Sequence, residues 1–144
     1  MDDVFNNYRD VFRNRPIINL PTNIEEFSEI ASEFVRYEEK YQINILPALM
    51  VSLLRNSEFQ KPRSMADMIV YGLDMPPADL YSQESTKKIY NLLKPEELKF
   101  FQMWILAIEE MDFVQVCRRE YKRVVDFWIN QLGNSSLPAN SPGE

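Results

Sequence analysis

LKPEELKFFQMWILAIEEM, residues 93–111, is the most apolar stretch of this 144-residue chain, and its reading decides the fold. Leu98, Phe100, Phe101, Met103, Trp104, Ile105, Leu106, Ala107 and Ile108 leave only Lys99 and Gln102 polar among them. A membrane span needs roughly 18 consecutive apolar residues, and this run between Glu97 and Glu109 is about half that. At 100° per residue, Lys99, Gln102, Glu109 and Glu110 share one arc of about 100°. The rest of the circumference is apolar, apart from Glu96 and Glu97 at the start. A helix of that kind is expected at the centre of a helical bundle, over about residues 95–110. Leu106 and Met103 point into the polar arc, which marks them either as covered by a loop or as part of a contact surface.

From Pro95 to Leu132 no proline or glycine intervenes. An unbroken helix of ~38 residues would be about 57 Å long, too long for a compact domain of this size. A break is therefore expected near Glu110–Asp112, with Asp112 as the next N-cap and Gly133 as the C-terminal cap of the last helix. Upstream, the sequence reads as helices punctuated by prolines. Val4, Phe5, Tyr8, Val11 and Phe12 share one face over residues 3–13. Thr22 or Asn23 caps a helix whose stripe is Ile24, Phe27, Ile30, Ala31, Phe34, Tyr37 and Tyr41. "LPALMVSLLRN" (46–56) is a helix with Pro47 in its first turn. Ser64 opens a short helix over 65–74, and residues 79–93 form a fifth. No strand alternation of useful length appears. The expectation is an all-α bundle of six or seven helices, one domain over 1–132, with a disordered tail over 133–144.

Composition excludes more than it proposes. The formal charge is −6 and the pI about 4.8, which disfavours nucleic acid as a partner. Three glycines cannot build a Gly-rich phosphate loop, and the absence of histidine removes Ser-His-Asp and Cys-His catalysis and the common zinc sites. Cys117 is the only cysteine, so no disulfide forms within the chain, and a reducing compartment fits. The acidic start MDDVFNNYRD does not resemble a signal peptide, so a cytoplasmic protein is expected. No enzyme, cofactor, metal or membrane role is expected. The partner is expected to be another protein.

Two surfaces are candidates. Glu25, Glu26, Glu29 and Glu33 make an acidic face on the second helix. Carboxylates at that spacing ligate hard cations in some sites, but a solvated face is the simpler reading. On the last helix, Arg118, Arg119, Lys122 and Arg123 form a basic cluster behind an inner stripe of Cys117, Tyr121, Val124, Val125, Trp128 and Leu132. Val116 and Phe127 lie off that stripe, on the flank of Glu120 and Arg123. An exposed aromatic beside an arginine is a usual anchor for a protein contact. The expected contact patch is Val116, Glu120, Arg123 and Phe127, with Leu106 and Met103. Cys117, on the buried stripe, has no base to activate it.

"ILPALMVSLLRN", "ADMIVYGLD" and "LKPEELKFFQMWILAIEEM", in that order, resemble a group of small, uncharacterised helical proteins of bacteria, often cyanobacteria. The resemblance covers about residues 45–110 and implies an all-α fold, with no known activity and no functional residues to carry over. Such groups include candidate immunity proteins and assembly helpers. A carboxysome shell-assembly helper is of this size and helical type. The expected function is thus a non-enzymatic adaptor or assembly factor. The alternative is an immunity-type inhibitor whose acidic face covers a basic toxin.

Overall fold

The computed structural model describes residues 3–131, and among these it is all-α with no strand. Leu132, the expected cap at Gly133 and the expected tail lie outside the described residues. The helices are α1 (Asp3–Asn6), α2 (Tyr8–Val11), α3 (Ile24–Glu33), α4 (Glu39–Arg55), α5 (Asp67–Gly72), α6 (Leu80–Leu92), α7 (Pro95–Ala107), α8 (Asp112–Val116) and α9 (Arg118–Trp128). Three short 3-10 turns connect α3 to α4 and α4 to α5. The expected six or seven helices become nine segments because two predicted helices are interrupted, at Asn7 and at Cys117.

α7 starts where its sequence says it should. Pro95 needs no N–H at the first helical position, and Glu96 and Glu97 face the positive end of the helix dipole. Its buried residues are Glu97, Phe100, Phe101, Trp104 and Ile105, followed by Ile108 just past the helix. Lys99, Leu106 and Ala107 are exposed. α7 thus presents one broad face to the core rather than three sides. The enclosed helix is α4, where eight consecutive residues, Leu46 to Leu53, are buried. The sequence pattern underrated α4 because only its second half was read as helix. α4 begins at Glu39, so Pro47 lies inside it and leaves the Ile43 carbonyl without its intrahelical donor.

The second helix is correspondingly shorter than its stripe suggests. It ends at Glu33, a 3-10 turn follows over Phe34–Arg36, and Tyr37 and Tyr41 are each 50% exposed. Asn23, not Thr22, is the N-cap and accepts from the Glu26 N–H at 2.9 Å; the Glu26 carboxylate accepts from the Thr22 N–H at 2.7 Å. Ser64 punctuates the next turn, donating to the Phe59 carbonyl and accepting from the Ala66 N–H. Gly72 ends α5 where it meets the 3-10 turn after α3: a Cβ there would lie 2.7 Å from Phe34 Cζ. Of the fifth helix's apolar residues, only Ile89 is buried. Leu80 is 73% exposed.

Aromatic packing joins the pieces. Phe100 receives Phe5 and Phe12 edge-on, with centroids 5.2 and 5.0 Å away. Phe101 stacks on Trp128 at 5.6 Å, and Phe27 on Phe59 at 4.6 Å. Each buried ring contributes by the water it excludes, about 1.5–3 kcal/mol for a fully buried phenylalanine, with a smaller increment from ring geometry. The polar ends of large side chains also find partners. Trp104 Nε1 donates to the Met50 carbonyl, tying α7 to α4, and Trp128 Nε1 to the Leu73 carbonyl, tying α9 to the end of α5.

Glu97 holds the N-terminal segment down. Its side chain is 1% exposed and takes Arg15 bidentately, both contacts at 2.8 Å, while accepting from the Lys94 N–H. Arg15 also donates to the Leu92 carbonyl at 2.7 Å. Burial pushes the Glu97 carboxyl up, but the hydrogen bonds from Arg15 and Lys94 and the Arg15 charge outweigh it and hold the carboxyl below its ordinary value. A carboxyl so depressed stabilises the fold fully above its unfolded pKa, and that stabilisation is lost as pH falls through the lower folded value. Glu97→Gln should cost about 3–5 kcal/mol at neutral pH, since it strands a part-buried arginine. Urea titrations should show this deficit constant at neutral pH and shrinking below roughly pH 4. A deficit that does not change with pH would show that the charge of Glu97 is not what matters.

Candidate functional site

α8 and α9 form a corner. Met111 precedes α8 as its N-cap and Asp112 is its first residue, so the expected break is present with the cap one residue earlier. Asp112 meets Lys61 across the surface at 3.2 Å. A second break at Cys117, which nothing in the sequence announces, turns α9 back along α7. Tyr121 seals that return by donating its hydroxyl to the Ile105 carbonyl at 2.6 Å. Gln102, polar on an otherwise apolar stretch, donates to the Trp128 carbonyl and so satisfies an orphan group at the end of α9.

This return decides where the expected contact patch goes, and divides it. Phe127 is 3% exposed, packed edge-on against Tyr90 at 5.3 Å and Trp128 at 5.7 Å. It is a core residue, not a surface anchor. The single-stripe reading of the last helix fails because α9 buries a wider arc of Tyr121, Val124, Phe127 and Trp128, Phe127 being covered by Tyr90 of α6. Arg123 also turns inward. Its guanidinium holds the carboxylate of Asp74 bidentately at 2.9 and 2.7 Å, and Asp74 is itself 3% exposed. That hydrogen-bonded pairing raises the Arg123 pKa further above its ordinary value, so the pair is a fixed clamp between α9 and the turn after α5. Met103 is partly buried against the core, while Leu106 remains 53% exposed on the open side of α7.

Val116 and Glu120 stay together. They line a surface trough of about 790 Å³ at the α8–α9 corner, with Glu109, Arg118, Arg119 and Lys122. Val116 is 63% exposed. Arg118 and Arg119 occupy the first two positions of α9, where the helix dipole favours acid rather than base. Arg118 lies over the Tyr121 ring at 5.9 Å, and Lys122 pairs with Asp126 at 3.7 Å, a solvated contact of small worth. Arg119 has no ion-pair partner among the described residues.

Cys117, between α8 and α9, is fully buried. Its thiol faces the Phe113 carbonyl at 3.5 Å. Burial, with the charges of Asp67 and Glu120, pushes the thiol up to about 12, so it carries almost no thiolate. The acidic face is a separate region. Glu25, Glu26, Glu29 and Glu33 are all exposed, and Glu25 and Glu29 share a shallow trough with Arg63 and Met65. Glu26 is committed to Thr22. No group of three or more acidic, cysteine or histidine side chains among the described residues converges to hold a metal ion.

No protein-family model, curated protein or solved structure matches this chain. The likeness to small helical proteins therefore assigns no residue a role, and the site stands on its geometry. Removing the Phe127 ring should cost about 3–5 kcal/mol of unfolding free energy, as for any large buried aromatic. Val116→Ala should change it by less than about 0.5 kcal/mol. Guanidinium denaturation of both variants decides the matter. Equal, small losses would return Phe127 to the surface.

Proposed function

We propose that the protein works by binding another protein, as an adaptor or assembly factor, and that the α8–α9 trough is the seat. The supporting observation is Val116. It is a solvent-exposed β-branched residue at a helix corner, set among Arg118, Arg119 and Lys122 on a chain of net charge −6. An apolar contact ringed by arginines suits a partner segment carrying an apolar side chain beside carboxylates. Arg119 is free to form a bidentate pair, and Leu106 offers a further exposed apolar contact on α7. No helix among the described residues is long and apolar enough to cross a membrane. The single buried thiol accords with a reducing compartment such as the cytoplasm.

The test is a photo-reactive amino acid placed at position 116 and activated in cells of the source organism. The expected result is one discrete adduct of higher mass. Adding Arg118→Glu and Arg119→Glu should reduce its yield about tenfold or more, because like charges would then face the partner's carboxylates. No adduct, or the same adducts from a reactive residue at exposed Glu84, would sink the proposal.

A second reading, an immunity-type inhibitor, rests on the exposure of Glu25, Glu29 and Glu33 on α3. It calls for a basic partner whose association slows steeply with salt and slows again when two of these charges are reversed.

A further inference from the structure

Gln42 has an amide with only one end in use. The residue is 3% exposed. Its Nε2 donates to the Tyr37 carbonyl at 2.8 Å and lies 3.4 Å from the Val35 carbonyl. Only the NH2 end can serve two carbonyls, so chemistry fixes which way the amide points. The other end, Oε1, accepts no hydrogen bond among the described residues and is not sealed from solvent: the buried side-chain atom left without a partner among them is Ser52 Oγ. Gln42 lines a cleft of about 240 Å³ between the turn after α3, α5 and α6.

Tyr71, Tyr81, Ser82, Ser85 and Thr86 also line this cleft, beside Val35 and Gly72. Each serine and threonine hydroxyl proton is already committed. Ser82 donates to the Asp79 carboxylate at 2.8 Å, Ser85 to Glu39 at 2.7 Å and Thr86 to the Asp74 carbonyl at 2.7 Å. What remains for a ligand is mostly acceptors, three hydroxyl oxygens and one amide oxygen, beside two tyrosine rings whose phenols each carry one O–H, that of Tyr71 directed to Asp67. No lysine or arginine lines the cleft. Of the cations nearby, Arg123 is neutralised by Asp74, and Lys88 acts on Glu39 from the neighbouring trough. Carboxylates stand behind the walls, Asp79 and Glu39 directly and Asp67 and Glu120 beyond Tyr71. Burial, then the Asp67 and Glu120 charges among others, raises the Tyr71 phenol above its ordinary value, a sign of negative potential on that side.

We propose that this cleft is a second binding site, and that it takes the cationic side chain of an arginine or lysine presented by another protein. Acceptors without competing side-chain bases suit an N–H-rich cation, and ring faces attract it further. The volume lies below the roughly 300 Å³ at which small-molecule sites begin, and suits one side chain. Tyrosine and serine together are also what protein-binding surfaces use: tyrosine for rigid amphipathic area, serine for adaptable hydrogen bonds. The cleft binds the opposite charge from the α8–α9 trough and does not depend on it.

The test uses acetyl-Gly-Arg-Gly-amide, titrated against the isotopically labelled full chain and followed by NMR. The expected result is a saturable shift of the Gln42 side-chain amide and of the Tyr71 and Tyr81 signals. The isosteric citrulline peptide, which is neutral, should bind about tenfold or more weaker. Tyr81 is 83% exposed, so Tyr81→Ala should keep the wild-type melting temperature and still weaken the arginine peptide several-fold. Equal binding of the two peptides would overturn the cation assignment. So would the absence of a saturable shift, or an arginine response unaffected by Tyr81→Ala.

Discussion

The fold depends on the return of α9 along α7. Three contacts hold it: the Tyr121 hydroxyl on the Ile105 carbonyl, the Gln102 amide on the Trp128 carbonyl and the stack of Trp128 on Phe101. Two are hydrogen bonds to backbone oxygens, which fix register as well as attraction. Much else follows. Trp128 can reach the Leu73 carbonyl and Arg123 can reach Asp74 only because α9 comes back across the end of α5. Phe127 goes inside for the same reason. The corner that the return creates leaves Val116 outside with three bases around it.

The two ion-pair clamps, Arg15–Glu97 and Arg123–Asp74, have one design. Arg15–Glu97 fastens the segment after α2 to the start of α7, and Arg123–Asp74 fastens α9 to the turn between α5 and α6. Both pairs are bidentate, and both carboxylates also accept a backbone N–H, from Lys94 and Met75 respectively. Fully hydrogen-bonded charges of this kind are costly to break one partner at a time, so they specify a single arrangement of the pieces they join. The remaining ion pairs are solvent-exposed, and their geometry decides little.

The sequence made the fold class legible because the local signals are strong. Prolines 47 and 95, the cap at Asn23 and the apolar face of α7 all say helix, and nothing alternates with period two. The break near Met111 followed from length alone. What escaped were features that depend on distant residues. Phe127 looked peripheral because helical phase measures distance from one stripe, whereas α9 is covered by α6 as well as α7. Arg123 looked like part of a basic surface because its partner Asp74 lies 49 residues away. α4 looked short because its amphipathic first half, Glu39–Ile45, reads as the end of the preceding helix. The tyrosine cleft was invisible because its walls come from four segments, and because an unpaired amide oxygen has no signature in sequence.

The most direct test of the return of α9 is a distance. Spin labels at exposed Lys99 and Asn130 would lie about 46 Å apart if residues 95–132 formed one continuous helix. With Gln102 bonded to the Trp128 carbonyl, pulsed electron–electron resonance should give a single narrow distribution centred at less than about half that separation. A distribution centred near the full length, or a broad one spanning both, would contradict the fold-back on which the burial of Phe127, the Arg123–Asp74 clamp and the α8–α9 trough depend.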